Sequence, residues 1–186
     1  WESQVTQGIG NSYGMEVLFQ KKRGSTAGWI GYTLSWSNRQ FEDLNSGEWF
    51  PFTYDRRHDV SVVLTQDLGE IWSASAAWVY GTGRAVTLTE SVYNGVEFGS
   101  LGAPSYEVPS DRNGYRMSPY HRLDVSMTRE KPDTDGNRAL IFSLYNAYNN
   151  LNPFFALAEE EPDGSRVIRE YGLFPVIPSI AWRFHF

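Results

Sequence analysis

Apolar residues in this chain return at every second position, the period of a strand rather than the 3.6 of a helix. In residues 12–23, Tyr13, Met15, Val17 and Phe19 share one side, and Gly14, Glu16 and Gln20 share the other. In residues 29–41, Ile30, Tyr32, Leu34 and Trp36 oppose Gly31, Thr33, Ser35 and Ser37. Residues 54–68 set Val60, Val62 and Leu64 against Asp59, Ser61 and Thr65. Residues 71–88 put Trp72, Ala74, Ala76, Trp78 and Tyr80 on one side. After 89–118, which is rich in Gly, Pro, Ser and Asn and reads as a long loop, the alternation resumes. In 120–130, Leu123, Val125 and Met127 oppose Arg122, Asp124, Ser126 and Thr128. Residues 139–157 read as one long strand, and 167–186 as another that runs to the terminus. The pattern predicts an all-β protein of about seven strands.

Several segments exceed the usual strand of about 5–6 residues and match the roughly 9–11 that a tilted strand needs to cross a bilayer. Trp72 and Trp78 lie about 20 Å apart along a strand rising about 3.4 Å per residue. That separation is close to the apolar band of an outer-membrane barrel, about 25 Å tall with an aromatic girdle at each rim. Connections near Gly24, Gly69 and Gly136 are short, and those near 42–52, 89–118 and 159–167 are longer. Short and long alternate strictly, as in a barrel with short periplasmic turns and long outer loops. An odd strand number cannot close a bacterial barrel, whose strands are even in number. An open sheet in lipid would strand polar backbone groups at several kcal/mol each. Closure is therefore expected to need polypeptide outside this chain.

Composition sharpens the picture in two places. Aromatic residues make up 16% of the 186, within only 41% hydrophobic. Much of the apolar content is thus Trp, Tyr and Phe interleaved with polar residues, as on a barrel wall whose alternate side chains face lipid. The net charge of −6 argues against a nucleic-acid partner, which calls for a basic surface. There is no cysteine, hence no disulfide framework and no thiolate metal site. No apolar run is long enough for a transmembrane helix. The opening "WESQVTQGIG" has neither the basic start nor the apolar core of a secretory leader, and an expected explanation is that the chain is a piece of something longer.

The segments "RGSTAGWIGYTLSWSNRQFEDLNSGEWFPFTYDRRHDVSVV", "WVYGTGRAVTL", "NGYRMSPYHRLDVSMT", "LYNAYNNLNPFFA" and "LFPVIPSIAWRFHF" resemble, in order, the C-terminal barrel region of TonB-dependent outer-membrane receptors of the Bacteroidota type. The resemblance implies an antiparallel up-and-down transmembrane β-barrel of about 22 strands closed around a plug. Residues 1–186 would supply its last seven or so strands. The plug domain, the TonB-contacting segment and the earlier strands are not in this sequence. They would lie on another chain or segment. The implied activity is energised uptake of a nutrient ligand across the cell outer membrane, with TonB acting through the plug and a surface lipoprotein as a further partner. The ending Ile180, Trp182, Phe184, Phe186 matches the family's membrane-insertion signal, read by the barrel-assembly machinery. An unpaired last strand suits that reading, because its edge can be augmented.

Charges facing lipid cost about 2–4 kcal/mol at midplane, so Glu16, Asp59, Arg122 and Asp124 are expected to face the lumen and pair there or against the plug. Ligand contact is expected on the long loop, because binding residues concentrate on loops held by a rigid scaffold. Its aromatics Tyr93, Phe98, Tyr106 and Tyr115 are the candidates, with packing inside the loop as their plainer role. The acidic turn Asp133, Asp135, Asn137 lacks the closing Glu of a calcium loop and reads as an Asp-Gly turn. His58, His121 and His185 lack zinc-site spacing. No nucleophile elbow and no phosphate loop is present, "GTG" at 81–83 being too short. No catalytic residue, metal or cofactor is therefore expected.

Two other architectures fit the same alternation. One is a small self-contained barrel with a structural or adhesive role, which needs an eighth strand from 1–11 or 89–118. The other is a soluble β-sandwich binding module, which would bury the aromatic faces between sheets.

Overall fold

The computed structural model describes residues 6–94, 105–109, 111–133 and 136–184. Among these residues fourteen strands follow in order. The first five are β1 (Gly8–Lys21), β2 (Thr26–Phe41), β3 (Phe50–Pro51), β4 (His58–Asp67) and β5 (Trp72–Gly81). Then come β6 (Ala85–Val86), β7 (Thr89–Asn94), β8 (Ser105–Pro109), β9 (Tyr115–Arg116) and β10 (Tyr120–Asp133). The last four are β11 (Gly136–Tyr145), β12 (Pro153–Glu160), β13 (Arg166–Gly172) and β14 (Ile177–Phe184). Among the described residues the only helix is a single 3-10 turn, Asn45–Gly47, and none is long and apolar enough to cross a membrane.

Seven long strands form one antiparallel sheet in the order β1-β2-β4-β5-β10-β11-β14, with β3 paired to β2. Each long strand thus pairs with the next long one along the chain. Among the described residues β1 and β14 are open edges that do not pair with each other. The short connections all lie at one end of this sheet, where Gly24 and Gly69 take positive φ (101° and 87°) that a tight turn demands. The long connections, 42–57, 82–119 and 146–176, lie at the other end.

Three expectations change here. Residues 89–118 are not one loop: β7 pairs with β8 and β6 with β9. Residues 139–157 are not one strand. The chain leaves the sheet after Tyr145 because Asn146 and Asn149 adopt left-handed backbone (φ 53° and 55°), a conformation that asparagine accepts more readily than most residues. The segment 167–186 is likewise two strands, parted near Phe174, whose φ is 61°. The third long connection consequently runs over 146–176 and carries the separate hairpin β12–β13.

The buried residues gather at the loop end. Phe50, Ala85, Leu88 and Met117 are buried there, together with the polar Asp55, Asn113, Asn146 and Asn152. Along the sheet itself only Ala139 and Gly81 are buried among the residues described.

Candidate functional site

The pairing register sorts the sheet into two faces. Opposed residues in an antiparallel pair share a side, so sides can be traced across all seven strands. One row runs Met15, Leu34, His58, and others run Val17, Tyr32, Val60, Tyr80, His121 and Phe19, Ile30, Val62, Trp78, Leu123. On the far strands the same side carries Val125, Leu144, Pro178, then Met127, Phe142, Ile180, then Leu140 and Trp182. Between the row of Tyr80 and the row of Trp72 this apolar face carries one charged residue, Lys21, at the β1 end of the row of Ala76. Tyr80 and Trp72 are about 27 Å apart along β5 at about 3.4 Å per residue.

The apolar face is open. Phe19 is 69% exposed, Ile180 72% and Trp182 69%, and Met15, Met127 and Phe142 are exposed beside them. Trp36, Trp72 and Trp78 are half-buried against neighbours in the sheet. Aromatic rings concentrate near both ends. Tyr13 stacks on Trp36 with centroids 5.2 Å apart, and Trp78 stacks on Tyr80 at 6.1 Å. The Tyr32 hydroxyl lies 2.8 Å from His58 Nδ1, and the Tyr148 hydroxyl 2.9 Å from His121 Nδ1. Both histidines therefore close the loop end of this face with tyrosine partners. His185 lies outside the described residues, and among those described no three metal-ligating side chains converge.

The opposite face is polar. Glu16, Asp59, Arg122 and Asp124 all lie on it. Glu16 is opposed to Thr33, which is opposed to Asp59, so the two acids share one cross-strand row. Asp59 sits 3.5 Å from Arg56. Arg122 and Asp124 form their own pair at 2.9 Å. The Arg122 guanidinium also donates to the hydroxyls of Tyr120 (2.8 Å) and Tyr145 (2.9 Å). Hydroxyls bridge strands on this side, Ser12 to Ser37 and Ser75 to Ser126, each at 2.7 Å. Ile180, Trp182 and Phe184, the described part of the expected insertion signal, lie on the apolar face, by register with Phe142, Leu140 and Arg138; Phe186 lies outside the described residues.

The loop end is a built structure with polar hubs. Asp55, in the connection from β3 to β4, is buried. It accepts Arg116 Nη2 at 2.5 Å and the Ser37 amide at 2.7 Å, with Arg57 at 3.9 Å. Arg116 Nη1 also donates to the carbonyls of Asp55 and Gly83. A Cβ on Gly83 would lie 1.7 Å from the Met117 carbonyl oxygen, so the glycine of "GTG" serves close backbone packing. Asn113 donates to the Pro51 carbonyl at 2.8 Å, and Arg84 to the Phe154 carbonyl at 2.5 Å.

A second hub explains "NAYNNLN". Asn146 is fully buried, at 0% exposure. Its amide group donates to the carbonyls of Asn150 (2.8 Å) and Phe174 (3.0 Å) and accepts from the Asn150 N–H (3.0 Å). Its own N–H donates to Asp124 Oδ1 at 2.9 Å. Asn152 accepts from the His121 N–H at 2.7 Å, and Asn149 from the Val176 N–H at 2.9 Å. These side chains replace ladder bonds where the strands part, as buried polar backbone requires. The cluster of asparagines in a strand-like segment was the signal available in the sequence.

Of the four loop aromatics, Tyr93 and Tyr106 occupy directly opposed positions in the β7–β8 hairpin. Phe98 lies outside the described residues. Tyr115 sits in β9, where its hydroxyl donates to Glu170 Oε1 at 2.9 Å, and the Ser118 N–H donates to the same oxygen at 2.8 Å. Partial burial pushes the Glu170 carboxyl up, but the bonds from Ser118 and Tyr115 outweigh it and hold it below the ordinary range. Burial, then the bond to Glu170 and its charge, raise the Tyr115 phenol. In the β12–β13 hairpin, Phe155 stacks on Tyr171 at 4.9 Å, and Arg169 pairs with Glu159 at 3.0 Å and with Glu161. This hairpin presents exposed Phe154, Phe155 and Leu157 at the loop end; the reading of the sequence, which placed ligand contact in 89–118, did not single them out. Asp133 ends β10 and Asn137 lies in β11; Asp135 lies outside the described residues.

No family model, curated protein or solved structure matches the chain.

Proposed function

We propose that this chain is the C-terminal part of an outer-membrane TonB-dependent receptor barrel, and that the completed assembly takes up a nutrient ligand. The observation that carries the reading is the apolar face. It is continuous over seven strands, carries across about 27 Å a single charged residue, Lys21 beside the β1–β2 turn, and is bounded by aromatic rows and uncovered among the described residues. Soluble monomers rarely expose contiguous apolar patches beyond a few hundred Å², while a barrel wall in lipid requires one. A sandwich would have to cover this face with a second sheet. The opposite face, with its paired charges and hydroxyls, has the character of a barrel interior. The open edges β1 and β14 are where the remaining barrel strands would pair, since unpaired strands in hydrocarbon are costly. The loop-end cluster, with the β7–β8 and β12–β13 hairpins, is the side on which ligand would be captured. The reading assigns the chain no catalysis.

The absence of cysteine makes a direct test simple. Single-cysteine variants Val125→Cys and Ser126→Cys are labelled with a fluorophore in the full assembly and reconstituted in vesicles. A nitroxide on the lipid chains should quench the label at 125 and leave that at 126 nearly untouched. Equal quenching at the two sites, or an assembly that stays soluble without detergent, would overturn the membrane assignment. Uptake is tested separately, by ligand accumulation that disappears when TonB is removed.

A further inference from the structure

Resting on the reading that other polypeptide completes the sheet, we propose that the open edge of β1 is an interface coded by charge. Its partner is an antiparallel strand with two charged side chains on the polar face. One is a carboxylate beside Gly10, which meets Arg39, and the other is a Lys or Arg beside Glu16.

Arg39 belongs to β2 but reaches over β1. The register sets Arg39 opposite Gly10 and Phe41 opposite Gly8, on the same side as Glu16. A Cβ on Gly10 would lie 2.6 Å from Arg39 Nη1 and 3.0 Å from its Cδ. A Cβ on Gly8 would strike the Phe41 ring. Glycine at these two positions permits a close approach, and both β2 side chains lie across the edge strand, toward its free side. The Phe52 ring centroid is 4.4 Å from the Arg39 guanidinium carbon. That contact engages the charge through the ring face and leaves the N–H fork without an acceptor. Arg39 is half-buried, and among the described residues it has no carboxylate partner. A half-buried donor left unpaired is unfavourable, and a carboxylate from the next strand would satisfy it.

Glu16 lies six residues along β1 from Gly10, opposite Thr33. It is exposed and has no cation partner among the described residues. Elsewhere on the same face Asp59 pairs with Arg56, Arg122 with Asp124, and Glu130 with Arg183. The β1 edge thus carries two unpaired charges of opposite sign. Opposite charges in facing cross-strand positions attract, and like charges repel. A strand antiparallel to β1 passes Glu16 before Gly10, so its sequence should hold a base followed six residues later by an acid.

A second copy of this chain does not fit. Seven alternating strands leave β1 and β14 pointing the same way, so β14 of a second copy would meet β1 in parallel. On the polar face β14 carries Ile177, Ser179, Ala181 and Arg183, with no acid among them. The β1 strand of a second copy has the required charges. Antiparallel β1–β1 pairing would, however, put the long loops of the two copies on opposite sides of the bilayer, whereas a barrel keeps them on one.

The test treats the complete assembly, carrying R39K, with a carbodiimide, which joins an amine to a carboxylate in contact with it. Mass spectrometry should find position 39 coupled to an Asp or Glu outside residues 1–186, with Lys or Arg six residues before that acid. R183K is the control and should couple to Glu130, its partner at 2.8 Å, in similar yield. The chain has no cysteine, so pairing is read separately. N11C and S12C are each combined with cysteines scanned along the neighbouring polypeptide. Adjacent rows alternate between closer and wider spacing, so one of the two should form a disulfide. The charge code is overturned by any of four results while the control couples. These are no coupling at position 39, coupling to an acid of the same chain, coupling to Glu16 of a second copy, and a coupled acid with no base six residues before it. A disulfide alongside any of them leaves the receptor reading standing. An assembled protein with no other polypeptide beside β1 overturns the receptor reading itself.

Discussion

Arg116 and Asp55, 61 residues apart in sequence, meet at 2.5 Å, and through them two of the three long connections become one structure. Arg116 contributes from β9 and Asp55 from the link between β3 and β4. The third connection joins through the Tyr115–Glu170 and Arg84–Phe154 bonds. A sheet with little buried core of its own thus has a folded end, held largely by polar groups.

Removing Asp55 should loosen that end first. Removing the buried carboxylate leaves Arg116, a third exposed, and the Ser37 N–H without their acceptor, at about 1–3 kcal/mol. Asp55→Ala should raise protease cutting within 42–57 and 111–119 well over tenfold, with the long strands still protected. Unchanged cutting rates would show that Arg116 is not what binds the two connections.

Asn146→Ala should part the top of β11 from β14. Two carbonyls and one N–H lose their partner in a fully buried site, at about 1–3 kcal/mol for each group left unsatisfied. Hydrogen exchange at Asn150 and Val176 should accelerate by orders of magnitude. Asn146→Asp keeps the acceptor but not the donor, and should fall between the two.

Charge on the two faces should have unequal effects. On the proposed barrel reading, Val62→Arg, on the apolar face, should lower stability in lipid by about 2–4 kcal/mol, the midplane cost of a basic residue on a barrel wall. Ser61→Arg, one residue away on the polar face, should cost under about 1 kcal/mol. Denaturant titration of the assembly in vesicles measures both. Equal losses would remove the distinction between the faces.

The docking of β13 on β9 should depend on pH at both extremes. Glu170 has a depressed carboxyl, so its contribution is fully present above the ordinary 4.5 and lost as pH falls through its lower folded value. Tyr115 has a raised phenol, so its contribution is present below the ordinary 10.0 and lost as pH rises through its higher folded value. Hydrogen exchange at Ser118 should therefore show a protected plateau with an acid and an alkaline limb beyond the change in intrinsic exchange rate. Glu170→Gln should erase the acid limb. An acid limb that survives this substitution would assign it to another group.

Much of the sheet was legible from alternation alone. The rows containing Tyr32 and Val60, or Trp78 and Leu123, are set by which residues are apolar at period two. Slipping any strand by one residue would turn its apolar set onto the polar side. The placement of Glu16, Asp59, Arg122 and Asp124 together on that polar side follows from the same constraint. The loop end was not legible in this way. Asn146 sits in a stretch whose neighbours Leu144, Tyr145 and Tyr148 read as strand. What ends the strand there is a left-handed backbone stabilised by acceptors on Phe174 and Asn150. Tyr115 read as a ligand-contact candidate or as packing inside its loop, but its hydroxyl is taken by Glu170 from a hairpin 55 residues away.

The sequence by itself determined the strand class, the number of long strands and the division into an apolar and a polar side. Those are properties of adjacent residues, and a two-residue period expresses them locally. Only the tertiary structure decided where the strands stop, how the three long connections interlock, and which charges end up with partners. These depend on hydrogen-bonding groups far apart in the chain, and burial leaves such groups no alternative but to find one another.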